Sequence, residues 1–248
     1  MKPEYVRQYE SFEQRHWWFR VRRIILKGLL DRHVGWKPGM AALEIGTGPG
    51  ENLYALYPAG IELAGVEPDP DNAARAAARG PIPVHVGTLE RLPPEAVRKK
   101  LDLICLFDVL EHIPDDDAAL EALKGRLADR GQLALSVPAY NWMWGQQDVV
   151  NMHCRRYTRG ELRRKLERHG FAVVRATYFN FVLFPFIAAF RLLAQLPPWR
   201  NRPAHSDFDY SAGLFDRALY GLFRLEWPLL KYVDAPFGGS CFVLARKI

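Results

Sequence analysis

The residues with the most chemical content lie in a short glycine-rich stretch, Leu43-Glu44-Ile45-Gly46-Thr47-Gly48-Pro49-Gly50. Glycines at 46, 48 and 50 remove Cβ atoms, which lets the backbone turn tightly and approach a ligand. A dinucleotide fingerprint wants its third glycine at position 51, where this chain has Glu51. A carboxylate there opposes a pyrophosphate, which seeks bare amides at a helix N-terminus. The loop therefore suits a ligand without phosphates, although a plain tight turn uses the same glycines. A second stretch, Gly65-Val66-Glu67-Pro68-Asp69, puts Glu67 where a carboxylate accepts hydrogen bonds from ribose hydroxyls, about 20 residues after such a loop. Taken singly, Glu67 also reads as an exposed carboxylate at a strand end. The two signals together favour a nucleoside-type ligand.

The elements that must position these residues follow from apolar patterning. Residues 3–32 read as one helix, with Trp17, Trp18, Ile24, Ile25, Leu29 and Leu30 forming an apolar side. Pro38-Gly39 then marks a turn. Strands are expected at 41–45, 61–66, 82–86, 101–107, 133–137, 171–178 and 241–246, with helices at 71–79, 116–128 and 158–169 between them. Thr158 and Glu161 have capping-box spacing at the start of the last of these helices. Apolar strands alternating with helices imply an α/β fold, a parallel sheet covered on both faces.

Composition agrees with a soluble globular chain, at 49% hydrophobic and 25% charged residues. The 248 residues suffice for one large domain. The three cysteines are far apart, and Cys105 and Cys241 sit in apolar runs, which reads as buried thiols in a reducing compartment. No apolar signal segment opens the chain, so the expected location is the cytoplasm. The net charge of +6 is spread along the chain rather than gathered in one run, and it singles out no partner.

Four segments in order, Leu43–Gly50, Gly65–Asp69, Gly87-Thr88-Leu89-Glu90 and Phe107-Asp108-Val109-Leu110-Glu111-His112-Ile113-Pro114, resemble the class I S-adenosylmethionine-dependent methyltransferases, in their small-molecule branch. The resemblance runs over about residues 40–140. It implies a Rossmann-like seven-stranded sheet with an antiparallel last strand, which suits Cys241–Arg246. It also implies S-adenosylmethionine as cofactor and S-adenosylhomocysteine as product. By the same resemblance Glu44, Gly46, Thr47, Gly48 and Gly50 hold the methionine portion and Glu67 the ribose, with Pro68 alongside. Thr88 and Leu89 border the adenine, and Phe107 and Asp108 line the floor. The family often has Asp where Thr88 stands, so adenine recognition here leans on backbone groups. The segments His16–Arg20, Ser136–Tyr140, His153–Thr158 and Pro236–Ser240 are similar to a bacterial branch of these enzymes.

Methyl transfer needs a nucleophile in line with an activated methyl carbon, and a base when the acceptor is a hydroxyl or protonated amine. The candidates are His112, after the fourth strand, and His153, after the fifth, with Tyr157 close by. Asp148 could orient the His153 imidazole, and Arg155 and Arg156 could hold an anionic acceptor. Trp18 and Tyr140 complete the expected substrate-binding set. Each histidine also reads as a structural hydrogen-bonding residue. Asp148, Asn151 and His153 offer ligand-type atoms, but no second carboxylate cluster accompanies them and no metal is expected. Asp115, Asp116 and Asp117 read as helix-dipole partners.

The expected organisation is a single methyltransferase domain over 1–248. Residues 1–37 form an N-terminal helical lid, 38–178 the cofactor-binding core, 179–238 a helical insertion or cap, and 239–248 the last strand. The Trp17-Trp18 pair reads either as a lid over the cofactor, with Arg20 or Arg23 reaching a carboxylate, or as core packing. Residues 179–193 are strongly apolar, but Pro185 and Arg191 interrupt them, which excludes a spanning helix. An acceptor cap is favoured, beside an oligomer interface and a membrane contact through 179–196 with Arg191, Arg200 and Arg202 at headgroups.

The function expected is methyl transfer to oxygen or nitrogen of a small-molecule or lipid- or glycan-type acceptor, by a monomer or homodimer. A non-catalytic cofactor-binding module and a membrane-surface enzyme acting on a lipid-linked intermediate are the alternatives. Nucleic acid is not an expected partner, because Phe107-Asp108-Val109-Leu110 replaces the Asn/Asp-Pro-Pro-aromatic motif of amino-methylating DNA enzymes.

Overall fold

The computed structural model describes residues 13–97, 99–194 and 214–248. Seven strands form one sheet: β1 (Ala41–Ile45), β2 (Glu62–Glu67), β3 (Val84–Val86), β4 (Leu101–Phe107), β5 (Leu127–Pro138), β6 (Phe171–Phe179) and β7 (Ser240–Lys247), in the order β3-β2-β1-β4-β5-β7-β6. The first five pair in parallel, while β7 runs antiparallel to both neighbours, β5 and β6. All five residues of β1 are buried, and β4 is buried except for a partly exposed Asp102, as expected of strands covered on both faces. The Rossmann-like sheet expected from the sequence, with its antiparallel final strand, is the one observed.

The helices in chain order are α1 (Trp17–His33), α2 (Glu51–Ala55), α3 (Pro70–Ala78), α4 (Asp116–Arg126), α5 (Gln146–Asn151), α6 (Arg159–Arg168), α7 (Phe184–Ala194), α8 (Leu214–Arg224) and α9 (Glu226–Leu230). One boundary differs in kind from the expectation. The single helix foreseen at 3–32 is interrupted: residues 13–15 are helical, but His16 is extended (φ −67°, ψ 133°) and its Nδ1 accepts from Trp18 N. A side-chain acceptor at this place satisfies one of the amides a helix start leaves open. Residues 3–12 lie outside the described residues. Strand β5 begins six residues earlier than foreseen, directly after α4. The Thr158–Glu161 capping box forms as its spacing predicts.

The core runs from α1 through the sheet to α6. Val21, Ile25, Leu26, Leu29 and Leu30 of α1 are buried against it, at the 3–4 residue spacing that puts them on one face. Trp17 meets Phe223 of α8 edge-on at 5.8 Å, so the N-terminal helix and the insertion brace each other. Among the described residues no helix is long and apolar enough to cross a membrane.

Candidate active site

In an open α/β sheet, ligands bind beyond the carboxyl ends of the strands where the strand order reverses. Here that point lies between β1 and β4, whose outer neighbours are β2 and β5. The glycine loop leaves β1 on one side of it, and Asp108 to His112 leave β4 on the other.

On the β1 side the loop is shaped by the backbone. Gly46 has φ 76°, and a Cβ there would lie 2.4 Å from Val109 Cγ2, so only glycine fits between the two loops. Glu67, at the end of β2, reaches across to accept from Gly48 N (2.8 Å) and Asp69 N (3.2 Å). Glu44 is buried; one oxygen accepts from the Tyr57 hydroxyl at 2.6 Å and the other, Oε1, has no partner. Burial pushes the Glu44 carboxyl up to about 7, against the pull of that hydroxyl. Leu89 is buried after β3, while Pro68 and Thr88 are exposed.

Phe107 is buried at the end of β4. Asp108 follows in a left-handed conformation (φ 59°), pairs with Arg22 of α1 at 2.8 Å and accepts from Ser136 Oγ at 3.0 Å. Arg22 thus makes the reach to a carboxylate that was expected of Arg20 or Arg23; Arg20 instead lies over the Tyr220 ring. Glu13, which sequence reasoning passed over, is buried with its carboxylate over Gly48. Burial pushes it up to about 8 although Arg22 and Arg23 pull the other way. Nothing in the pattern around Glu13 signals this position.

Beyond Asp108 a cavity of about 460 Å³ opens, walled by Trp18, Phe186, Ile187 and Phe190 and floored by Glu111, His112 and His153. The imidazoles of His112 and His153 meet edge-to-face, 4.7 Å between centroids. His153 Nδ1 lies 2.8 Å from Asp148 Oδ1, and the same carboxylate takes two bonds from Arg156, at 2.7 and 2.9 Å, and one from Gly145 N at 2.7 Å. Burial works against the Asp148 charge, but the His153 and Arg156 bonds outweigh it and hold the carboxyl down at about 2. His112 bonds the Asn151 backbone; burial first, then His153, lowers it to about 4. Glu111 is wholly buried, and neither of its oxygens has a hydrogen-bond partner beyond its own residue.

The expected site residues therefore divide. Trp18, Asp108, His112, His153 and Arg156 line the cavity. Asp148 is fully buried and clamps His153 and Arg156. Tyr157 and Arg155 are turned to Asp116, at 2.7 and 2.6 Å, where Lys165 also binds. Burial and the Asp116 carboxylate hold the Tyr157 hydroxyl far above the ordinary tyrosine range, so it keeps its proton near neutrality. Asp116 is consequently an ion-pair centre rather than a dipole partner alone, while Asp115 caps α4 through Ala118 N. Tyr140 stacks on Tyr178, 5.2 Å away. Arg191, expected at headgroups, is buried against Gly145, and Arg200 and Arg202 lie outside the described residues. Glu111 lies in the Phe107–Pro114 segment after β4, and its adjacency to His112 is the sequence signal for its position.

The sequence matches the methyltransferase domain family over residues 16–176. Over 109 residues it is 28% identical to a ubiquinone biosynthesis O-methyltransferase of Bradyrhizobium diazoefficiens, a stretch that covers 42% of each chain. Among solved structures, one chain of the complex between the Haloferax volcanii Trm112 methyltransferase activator and a methyltransferase superposes with TM-score 0.64 at 17% identity, covering 98% of this chain and 96% of that one. An S-adenosylmethionine-dependent methyltransferase from Thermotoga maritima gives TM-score 0.58 at 18% identity, with 99% and 97% covered. With a sheet of that fold, and with a family match over most of its length, the chain belongs to the methyltransferase domain family.

Proposed function

We propose that the chain methylates an oxygen or nitrogen of a small-molecule or lipid-type acceptor held in the cavity beyond Asp108. The observation that carries this reading is the Asp148–His153 pair at the cavity floor (2.8 Å). With the Asp148 carboxylate ionised, Nδ1 keeps the proton and the lone pair is left on Nε2, the arrangement of an oriented general base. S-adenosylmethionine, when bound, supplies the activated methyl group. The residues proposed to hold it are Glu44 with Gly46, Thr47, Gly48 and Gly50 at the methionine end, and Glu67 with Pro68 at the ribose. Thr88 and Leu89 sit at the adenine, and Phe107 and Asp108 form the floor. The unpartnered Glu44 Oε1 supports the fit, because a buried acceptor without a donor is costly unless a ligand supplies one.

A lipid-type acceptor is supported by the cavity rim. Phe186 and Phe190 of α7 line the cavity yet are 75% and 60% exposed, so apolar surface continues from its wall to the outside. The test has two stages. Titration with S-adenosylmethionine, S-adenosylhomocysteine and NAD should show binding of the two adenosyl ligands only, lost in Glu67→Ala. A screen of hydroxyl and amine acceptors, water-soluble and lipid-linked, should then find S-adenosylhomocysteine release that His153→Ala abolishes while cofactor affinity is kept. Turnover that is indifferent to His153→Ala would remove His153 from the reaction.

A further inference from the structure

We infer that Glu111, His112 and His153 form a binding site for a divalent first-row transition-metal cation at the floor of the acceptor cavity. This rests on the cavity being the acceptor site, as proposed above, and gives His153 a ligand's role in place of the general base's.

Three observations converge. First, the ligand-type atoms of these three side chains all lie within 4.8 Å of one another. Metal–ligand bonds of about 2.0–2.2 Å span up to roughly 4 Å between opposite ligands, so small side-chain rotations close the set around one ion. Second, Glu111 is wholly buried in the cavity floor and neither oxygen has a hydrogen-bond partner beyond its own residue. The arginines nearest in charge are already committed, Arg22 to Asp108 and Arg156 to Asp148. Burial alone favours the neutral acid at such a place, and a cation beside it would stabilise the carboxylate form. Third, both imidazoles have the outer partners that metal-ligating histidines use. His153 is held by a carboxylate, Asp148, and His112 by a backbone group, that of Asn151. These bonds occupy one ring nitrogen each and leave the other for the ion.

Two imidazoles and one carboxylate suit Mn²⁺, Fe²⁺, Co²⁺ or Zn²⁺ better than Mg²⁺ or Ca²⁺, which prefer oxygen alone. Three protein ligands leave positions open toward the cavity. An acceptor oxygen placed there gives up its proton to solvent at lower pH than it would in water and keeps the electron pair with which it attacks. Nε2 of His153 is then a ligand, and the site selects oxygen acceptors over amines.

The test uses the full chain freed of metal by a chelator and then dialysed. Titration with Co²⁺, followed by its visible d–d absorption, and calorimetry with Mn²⁺ and Zn²⁺ should show one site. Affinity should fall at least tenfold in Glu111→Gln and again in His153→Ala, while S-adenosylhomocysteine binding, measured in the same samples, stays within a fewfold and reports folding. Wild-type protein that binds S-adenosylhomocysteine but no cation would overturn the inference and leave His153 as the base. Cation binding that both variants retain would place the ion elsewhere and overturn it equally. Cation binding at this site with methyl transfer confined to amines would uphold the site and defeat the oxygen-acceptor step alone.

Discussion

The two halves of the cleft are built differently. On the β1 side the cleft surface is main chain held in special conformations, Gly46 at φ 76° and Gly48 at φ 54°, with Glu67 bonding back to a loop amide 19 residues away. On the β4–β5 side the surface is side chain. Residues from α1, the turn after β4, the segment after β5 and α7 converge on it, held by a buried Arg156–Asp148–His153 cluster. A half made of backbone needs few particular residues and binds a constant part of the ligand. A half made of converging side chains can be altered one residue at a time, and it is also easier to break.

The sharpest way to break the contrast is Asp148→Ala. It strands Arg156, 8% exposed, without its carboxylate, and removing one partner of a buried pair costs about 3–5 kcal/mol. Urea unfolding should show that loss, while the adenosyl-ligand Kd of the folded fraction changes little. An equal loss of cofactor affinity would mean the halves are not independent. Next in size is Glu67→Ala. Two hydrogen bonds to a charged acceptor at about 1.5 kcal/mol or more each predict at least a 100-fold weaker adenosyl Kd by calorimetry, with a much smaller change in unfolding.

A pH titration probes the N-terminal brace. Burial lowers His16 from 6.5 to about 4, so its contribution to stability is fully present above pH 6.5 and is lost as pH falls toward 4. Its cap on α1 is worth about 1 kcal/mol, and tryptophan fluorescence from Trp17 and Trp18 should follow the loss, with His16→Ala flat across the same range. The smallest effect belongs to Phe190→Ser. At 60% exposure it should leave stability within about 0.5 kcal/mol, yet raise KM for an apolar acceptor with kcat kept. An unchanged KM would place the acceptor away from α7.

The same contrast explains what could be read from the sequence. The glycine loop, Glu67 and the turn after β4 are contiguous motifs at strand ends, and the strands themselves are apolar runs, so the sheet and the loops proposed for the cofactor were legible. The side proposed for the acceptor depends on pairs remote in sequence. Arg22 meets Ser136 across 114 residues, and His112 meets His153 across α4, β5 and α5. No local pattern states such a meeting. Arg155 and Tyr157 illustrate the same point: their neighbours Arg156 and His153 turn to the cavity while they turn to Asp116, and side-chain direction in an irregular segment has no period to read.

The position of β7 between β5 and β6 has a consequence in time. It is synthesised after all six other strands, and 60 residues separate Phe179 from Ser240. At about 5–20 residues per second, β6 waits roughly 3–12 s on the ribosome with no strand beside it, and the edge of β5 stays open for longer. Exposed strand edges pair with whatever strand is offered. The period of greatest risk for this chain is therefore late in its synthesis, when most of the sheet exists and its penultimate place is vacant.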